Sequence, residues 1–316
     1  MTELKPVPRG SLLERAATVY DFASAFRARA DGGAGGVNGV EVAPAVAMPF
    51  TTPVAQPQSV APPPAAMARR QDRPAAAIDR AHLAEQGLLV PGAAVSALAE
   101  EFRLIKRQLL LTARAVQAEH GDRARAILVG SANANEGKTY CAINLALSMA
   151  AERDTEVVLI DADVAKPGVL AQLGLDDRPG LLDVLADPSA DIEDYLVPTD
   201  VPHLTILPAG SRSNQDTELL ASRRTPALLA ALLAADPRRV VIFDTPPALS
   251  ASPAATLALH VGQVLLVVRA DATSETDLRA AVSLLDGCDH IQLTLNAATL
   301  MPGGRRFGSY YGMEDA

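Results

Sequence analysis

Apolar runs that recur along the chain constrain its fold more than any other feature of the sequence. Five strong runs and a weaker sixth lie at 125–130, 156–161, 203–208, 239–244, 262–268 and 291–296. They are apolar almost throughout rather than at every second residue, which is typical of strands buried on both faces of a parallel sheet. Helical stretches such as 217–235 and 274–286 separate several runs, and a long helix covers about 94–120. The sequence therefore predicts an α/β fold, with a parallel β-sheet flanked by helices on both faces.

The N-terminal part of the chain differs in composition from the rest. Residues 31–80 consist mostly of Ala, Pro, Gly, Val and Gln and offer few large side chains to bury, so we predict a disordered linker there. Residues 1–30 contain a predicted amphipathic helix, since Ser11 and Glu14 form a capping-box pattern ahead of apolar residues that recur along one face. That helix either docks on another protein or folds back onto the main domain. We expect the main domain to cover 81–316.

The overall composition restricts the class of protein and its partners. Apolar residues make up 49% of the 316 residues, which is enough for a sizeable core. A net charge of −9 disfavours nucleic acid as the main partner, because binding to a polyanion draws on clustered Lys and Arg. Two cysteines, Cys141 and Cys288, cannot form a disulfide framework, which fits a reducing cytoplasm. We expect no membrane span and no signal peptide, because the chain lacks apolar segments of the required length.

The segment ANANEGKT, from Ala132 to Thr139, has the spacing of a phosphate-binding loop, with Ala in place of the first Gly. A predicted strand enters the loop and a predicted helix leaves it, so backbone N–H groups and the helix N-terminus can face a bound anion. Lys138 is then expected to reach the outer phosphates, and Thr139 to offer its hydroxyl to Mg²⁺. The predicted nucleotide-binding residues of this segment are Ala132, Asn133, Ala134, Asn135, Glu136, Gly137, Lys138, Thr139 and Tyr140.

Acidic residues follow two other predicted strands. Asp161 ends the run VVLID, with Asp163 two residues later, and Asp244 ends the run VVIFD. Because the carboxyl ends of parallel strands share one edge of a sheet, these acids are expected to meet the phosphate-binding loop around one metal and phosphate group. Each acid taken alone could instead cap a helix or a turn.

The combination of ANANEGKT, VVLIDADVAKP and VVIFDTPP resembles the bacterial tyrosine kinase family, whose members are P-loop kinases of polysaccharide synthesis and export. Shorter segments that also resemble the family are AEEFRLIKRQLL (99–110), GLLDVL (180–185), TELLAS (217–222) and FGSYYG (307–312). DADVAKP and the N-terminal SLLERAA are similar to the exosortase-associated tyrosine autokinase branch. The resemblance covers about 81–316 together with the first predicted helix.

This resemblance implies ATP and Mg²⁺ as ligands and assigns roles to the site residues. Lys138 and Mg²⁺ neutralise charge on the γ-phosphate, and Asp161 positions or deprotonates a tyrosine hydroxyl. Asp163 orients the site, while Asp244 holds the metal through water, together with Thr139 and Asp161. The resemblance also implies that Asn296, at the end of the last run, contacts adenine, although a single Asn at a strand end is as often a turn former.

The resemblance also implies acceptors and partners. Tyr310 and Tyr311 are the expected autophosphorylation sites, reached in trans by a neighbouring copy; the alternative is an aromatic pair packed on the surface. Glu100, Arg103 and Lys106 follow a spacing that family members use between subunits of ring-shaped oligomers; the alternative is a solvated charged face. A membrane chain-length determinant of the co-polymerase type is the implied partner, which would hold this cytoplasmic chain at the inner membrane.

Two other functions are alternatives to an autokinase. Partition and septum-positioning ATPases have the same fold but carry a signature lysine where this chain has Asn133, so that class is disfavoured. The second alternative is a non-catalytic regulator that binds ATP to stabilise an assembly with a membrane partner, in which the tyrosines are incidental.

Overall fold

The computed structural model describes residues 73–298 of the chain. Its strands are β1 (Ala126–Ser131), β2 (Glu156–Asp161), β3 (Val197–Pro198), β4 (Leu204–Leu207), β5 (Arg239–Asp244), β6 (Gln263–Arg269) and β7 (Ile291–Asn296). Its α-helices are α1 (Arg80–Glu85), α2 (Ala97–His120), α3 (Lys138–Ala150), α4 (Val169–Gln172), α5 (Leu181–Ala186), α6 (Asp216–Leu220), α7 (Arg224–Ala235), α8 (Pro253–Ala258) and α9 (Glu275–Leu284). Short 3-10 helices lie at Gly121–Arg125 and Ile192–Asp194.

The strands of the described region form one seven-stranded sheet in the order β3-β4-β2-β5-β1-β6-β7. All neighbouring strands are parallel except β3, which is antiparallel to β4 at the edge of the sheet. The α/β fold with a parallel sheet predicted from the apolar runs is confirmed. The structure contains one strand that the sequence did not predict, β3, because its two residues are too few to form a recognisable apolar run.

Both faces of the sheet are covered by helices, which explains the unbroken apolar runs. Successive residues of a strand point to opposite faces. Accordingly, Ile127 belongs to the core under α2 and α3, whereas Leu128 belongs to the core under α5, α7 and α8. β1 and β5 are therefore buried at every residue.

One predicted helix is divided in the structure. The stretch 217–235 contains α6 and α7, separated near Ser222. Pro226 has no backbone N–H and its ring would clash with the carbonyl four residues earlier, so it is tolerated only in the first turn of a helix. The helix therefore starts again at Arg224, where the Thr225 hydroxyl donates to the Leu220 carbonyl across the break at 2.8 Å.

The boundary predicted between linker and domain needs correction. Residues 73–80, expected to belong to the linker, pack onto the domain in the structure: the Ala76 N–H donates to the Pro198 carbonyl at 2.8 Å, and Ile78 is buried. Arg80 forms an ion pair with Asp200 at 2.6 Å. Most contacts that hold this segment come from residues about 120 positions away, so composition alone could not reveal them. The predicted N-terminal helix and the linker up to residue 72 lie outside the described residues.

The sheet brings the predicted site segments to one edge. β5 lies between β1 and β2, and Asp244 is the register partner of both Asp161 and Val129. The loop that follows β1 thus begins beside the two acids. Within residues 73–298, no helix combines the length and the apolar character needed to cross a bilayer.

Gly180 offers a direct test of how closely the loops at this edge are packed. It precedes α5 with φ of −160°, an extended conformation open to any residue, but a Cβ added there would overlap the Pro208 carbonyl oxygen. We expect Gly180→Ala to lower the free energy of unfolding by about 1–3 kcal/mol, measured by urea denaturation. Gly168→Ala is the matched control, because its Cβ would meet the Thr139 methyl at an ordinary 3.6 Å. Equal stabilities of the two variants would contradict the packing seen here.

Candidate nucleotide and phosphoryl-transfer site

The loop between β1 and α3 has the backbone of an anion-binding turn. Asn135 and Gly137 both have positive φ, of 63° and 96°, and α3 begins immediately afterwards at Lys138. Asn tolerates the left-handed region better than most residues, which is why Asn135 can stand there without a glycine. At Gly137 a side chain is excluded, because a Cβ would overlap the Asn296 amide nitrogen. The loop shape therefore depends on a residue from the far end of the domain.

The phosphate-binding loop is held in place by side chains of β6, of β7 and of the loop that follows β6. Glu136 is buried, and its carboxylate accepts hydrogen bonds from the Thr273 hydroxyl at 2.6 Å and the Asn133 N–H at 2.9 Å. The Asn296 amide donates to the Glu136 carbonyl at 2.9 Å, and Arg269 donates to the Asn135 carbonyl at 2.8 Å. Glu136 and Asn296 thus shape the loop, and the adenine contact expected of Asn296 stays a prediction. Sequence reasoning missed Arg269 and Thr273, which no motif marks.

Lys138 points to the acids at the end of β2. Its ammonium forms an ion pair with Asp163 Oδ2 at 2.7 Å, and both side chains are largely buried. The second oxygen of Asp163 accepts from the Lys166 N–H at 3.1 Å. Lys138 is the first residue of α3, so its ammonium lies beside the phosphate-binding loop and can contact a phosphate group that binds there. Asp163 therefore contacts Lys138 directly, which is compatible with its predicted role of orienting the site.

Asp161 is buried, with 2% of its surface exposed, and its two oxygens differ. Oδ2 accepts hydrogen bonds from the Gly168 N–H at 2.9 Å and the Val169 N–H at 3.0 Å. Oδ1 has no hydrogen-bond partner among the described residues. Burial raises the pKa of Asp161 to about 6, although the two backbone N–H groups oppose the shift. One oxygen is thus secured by the backbone while the other is available to a ligand.

Asp244 is completely buried, and neither of its oxygens accepts a hydrogen bond of standard geometry from residues 73–298. Burial raises the pKa of Asp244 to about 8; the charge of Lys138 opposes the shift and the charge of Asp161 adds to it. The Thr139 hydroxyl lies close enough to lower the pKa. A buried carboxylate without hydrogen-bond partners is costly in a folded protein, and a bound cation would offset that cost.

These oxygens fit a magnesium ion. Mg²⁺ prefers carboxylate, hydroxyl and water oxygens, usually with few protein ligands and the rest from phosphates and water. Asp161 and Asp244 contribute three buried oxygens without partners, and Thr139 lies beside Asp244. A divalent cation there would favour the ionised carboxylates against the cost of burial. The metal roles predicted for Thr139, Asp161 and Asp244 are therefore compatible with the geometry.

Two cavities meet at this edge of the sheet. One, of about 400 Å³, is lined by the phosphate-binding loop, including Ala134, Asn135, Gly137, Lys138, Thr139 and Tyr140. The other, of about 510 Å³, has Asp161 in its wall. Pro167 and Gly168 line both cavities, so they form a shared wall. The two cavities are therefore neighbours at the carboxyl edge of the sheet, with these two residues common to both.

The predicted subunit-contact residues are placed differently from one another. Glu100 and Arg103 form an ion pair on the accessible side of α2. Lys106, in contrast, is only 8% exposed; its ammonium donates to the Ser148 carbonyl at 3.0 Å and pairs with Glu152 at 2.8 Å. Within this chain the Lys106 ammonium therefore lies at the C-terminal end of α3, where a positive charge is favourable, and its contact with another subunit stays a prediction.

Tyr140, a predicted nucleotide contact, lies in the first turn of α3. Its hydroxyl donates to the Gly87 carbonyl at 2.9 Å, so the ring is tied to the segment that precedes α2. The predicted acceptors Tyr310 and Tyr311 lie outside the described residues.

Comparison with known proteins gives consistent matches. A family model described as an AAA domain matches residues 124–299. Tyrosine-protein kinase wzc of Salmonella typhi is 30% identical over 160 residues, which are 51% of this chain and 22% of that protein. Tyrosine-protein kinase YwqD of Bacillus subtilis is 32% identical over 164 residues, which are 52% of this chain and 68% of that protein. The chain thus spans about a fifth of the first relative and about two thirds of the second.

Among solved structures, the kinase domain of Escherichia coli tyrosine kinase ETK superposes with a TM-score of 0.59 at 22% identity. The match covers 76% of this chain and 88% of that domain. At this level of identity the similarity supports the fold.

Proposed function

The chain belongs to the bacterial tyrosine-protein kinase family, and from this premise we propose that it is an ATP-dependent autokinase. The donor is ATP with Mg²⁺. The acceptors are Tyr310 and Tyr311 in the C-terminal segment of a second copy of the chain. We retain the exosortase-associated branch as a prediction from the two short sequence segments that suggested it.

The observation that most supports the proposal is the pair of adjacent cavities. The phosphate-binding loop and Lys138 line one, Asp161 lines the other, and Pro167 and Gly168 stand between them. A nucleotide hydrolase needs room for one water molecule beside the γ-phosphate, whereas a second cavity of about 510 Å³ is large enough for a tyrosine side chain and its neighbours. The arrangement therefore favours transfer to a side chain over hydrolysis.

The proposed reaction is an in-line displacement at the γ-phosphorus of ATP. The tyrosine oxygen forms a bond to this phosphorus, the bond to the bridging oxygen of ADP breaks, and the phenolic proton passes to Asp161 Oδ1. Phosphoryl transfer is accelerated mainly by positioning and by electrostatic stabilisation. When bound, Mg²⁺ supplies positive charge that stabilises the charge developing on the phosphate oxygens.

The residues divide these tasks according to their contacts. Lys138 is positioned by Asp163 and supplies a positive charge at the outer phosphates. Asp161 is oriented by two backbone N–H groups, which leave Oδ1 available for the phenol. Asp244 and Thr139 would hold the metal ion, and Asp161 Oδ1 would serve the phenol in place of the metal role predicted for it. This division also accounts for the burial of both acids, since a site shielded from water strengthens each charge interaction.

We extend the proposal to a cellular role on the strength of the family resemblance. The kinase regulates synthesis or export of an exopolysaccharide, at the inner face of the membrane, through a membrane protein of the chain-length determinant class. A homo-oligomer presents the tyrosines of one copy to the site of the next. In this oligomer Glu100, Arg103 and Lys106 are the proposed subunit contacts.

The acceptor assignment has a direct test. We expect the double variant Tyr310→Phe, Tyr311→Phe to lose most of the ³²P incorporated from Mg-[γ-³²P]ATP, because only the acceptor hydroxyls are removed. Phosphotyrosine mapping by mass spectrometry identifies the modified residues. Tyr195→Phe is the matched control, because Tyr195 packs partly buried against the core and lines neither cavity. Unchanged labelling of the double variant would place the acceptor elsewhere, and ADP release without phosphotyrosine would favour an ATPase or a regulator.

A further inference from the structure

Two arginines stand at the acceptor cavity, outside the machinery described so far. Arg178 precedes α5 and Arg212 follows β4, and both line the cavity that contains Asp161. Both are exposed, and within residues 73–298 neither side chain forms an ion pair or a hydrogen bond. Asp177 is the third exposed charged residue that lines this cavity, and we call these three residues its rim. The rim therefore carries two unpaired positive charges against one negative charge.

One carboxylate joins the two segments that carry these arginines. Asp183 Oδ2 accepts hydrogen bonds from the Gly180 N–H at 2.7 Å and the Ser211 N–H at 3.0 Å. Gly180 is two residues after Arg178, and Ser211 immediately precedes Arg212. Backbone hydrogen bonds also join the two segments: the Leu181 and Leu182 N–H groups donate to the carbonyls of residues 208 and 209, at 2.8 and 2.9 Å. Although 34 positions separate the two arginines in sequence, their backbones are thus held together at the rim.

The proposed acceptor segment has acidic residues in a fixed position relative to its tyrosines. Glu314 and Asp315 follow Tyr311 by three and four residues, with only Gly and Met between. In an extended substrate, which advances about 3.3 Å per residue, such carboxylates would lie about 10–13 Å beyond a tyrosine bound in the cavity. The charges that precede the tyrosines are basic, at Arg305 and Arg306. Only the downstream side of the segment therefore complements two arginines.

We propose that Arg178 and Arg212 select tyrosine substrates that carry acidic residues three to five positions downstream, and that the 307–316 segment of a second copy is such a substrate. The inference rests on the proposed kinase function and names its specificity. Arg178 and Arg212 act by binding the acceptor, and Asp183 is a positioning residue that sets their separation. Acceptors whose downstream residues are neutral or basic are expected to be poor substrates.

The size of the effect follows from the exposure of the arginines. Exposed ion pairs change a binding constant by a factor of about 1.4 to 5 each. Two pairs, reduced by the nearby carboxylates of Asp177 and Asp183, are expected to change kcat/KM by roughly tenfold, mainly through KM. The preference should shrink as ionic strength rises, because solvent-exposed charges are screened by salt.

The test uses the full chain carrying Tyr310→Phe and Tyr311→Phe, so that added peptides are the acceptors. Three peptides are compared, with the sequence of residues 307–316, with Glu314→Gln and Asp315→Asn, and with Glu314→Lys and Asp315→Lys. Initial rates of ³²P transfer give kcat and KM for each. We expect the neutral peptide to show about tenfold lower kcat/KM than the acidic one, and the lysine peptide a lower value still.

Charge reversal in the enzyme makes the test specific. Introducing Arg178→Glu and Arg212→Glu should invert the order, so that the lysine peptide becomes the best substrate. Arg153→Glu is the matched control, since Arg153 is exposed near the start of β2 and lines neither cavity; it should keep the original order. Equal kcat/KM for the acidic and neutral peptides, or an unchanged order in the charge-reversed enzyme, overturns the inference alone. Failure of the parent enzyme to label any peptide overturns the proposed function and the inference with it.

Discussion

Replacing Lys138 with Ala is expected to reduce ³²P incorporation into the chain by roughly 100- to 1000-fold, which corresponds to about 3–4 kcal/mol of transition-state stabilisation. The Lys138 ammonium is the one positive charge paired with the acids at this edge of the described structure, at 2.7 Å from Asp163. Its removal leaves negative charge on the transferring phosphoryl group without a fixed counter-charge. The measurement is the initial rate of labelling at saturating Mg-ATP.

A loss of folding must be separated from a loss of catalysis in this variant. Lys138→Ala leaves the buried Asp163 without its partner, so the thermal midpoint should be recorded beside the rate. Lys166→Ala is the matched control: Lys166 lines the same cavity but is exposed and has no ion pair within residues 73–298. We expect Lys166→Ala to retain most of the activity. Full labelling by a folded Lys138→Ala protein would reject the assignment of the site.

The second large effect is expected for Asp161→Asn. This substitution conserves size and removes the carboxylate that is proposed to receive the phenolic proton. General bases contribute about 10²- to 10⁴-fold to a rate, so we expect a fall in kcat of at least about 100-fold. Binding of a fluorescent ATP analogue should persist, because the phosphate-binding loop and Lys138 are unchanged. The measurement is single-turnover phosphorylation of the 307–316 peptide.

Asp177→Asn provides the comparison for Asp161→Asn. Asp177 lines the same cavity but is exposed, and no backbone N–H group of residues 73–298 orients its carboxylate as Gly168 and Val169 orient that of Asp161. Its replacement should leave kcat within a few-fold of the parent value. If both variants kept the parent kcat, Asp161 would have no part in the chemistry.

The fold could be predicted from the sequence because its determinants are local. A strand buried on both faces is apolar along most of its length, and β1, β2, β5 and β6 show that pattern, with polar residues mainly at their ends. The short β3 carries no such pattern and owes its place to pairing with β4. Residues 73–80 were misassigned to the linker for the same reason, since distant backbone groups hold them.

The candidate site could be predicted in part. Lys138, Asp161, Asp163 and Asp244 lie at strand or helix ends, and the rule that parallel strands end on one edge is enough to bring them together. Lys106 shows the limit of spacing alone. Three-residue steps place it near the face of Glu100 and Arg103, but the position of α3 turns its ammonium inward to Ser148 and Glu152.

The sequence by itself determined the type of sheet, the phosphate-binding loop and the acids at the strand ends, because each follows from the order of residues along one element. Only the tertiary structure decided that Thr273 and Asn296 shape the loop, that the two cavities share a wall, and that one carboxylate joins the segments of Arg178 and Arg212. Those features depend on side chains and backbone groups from separate elements meeting within hydrogen-bond distance. Such distances are set by how the helices and loops pack on the sheet, which no local pattern records.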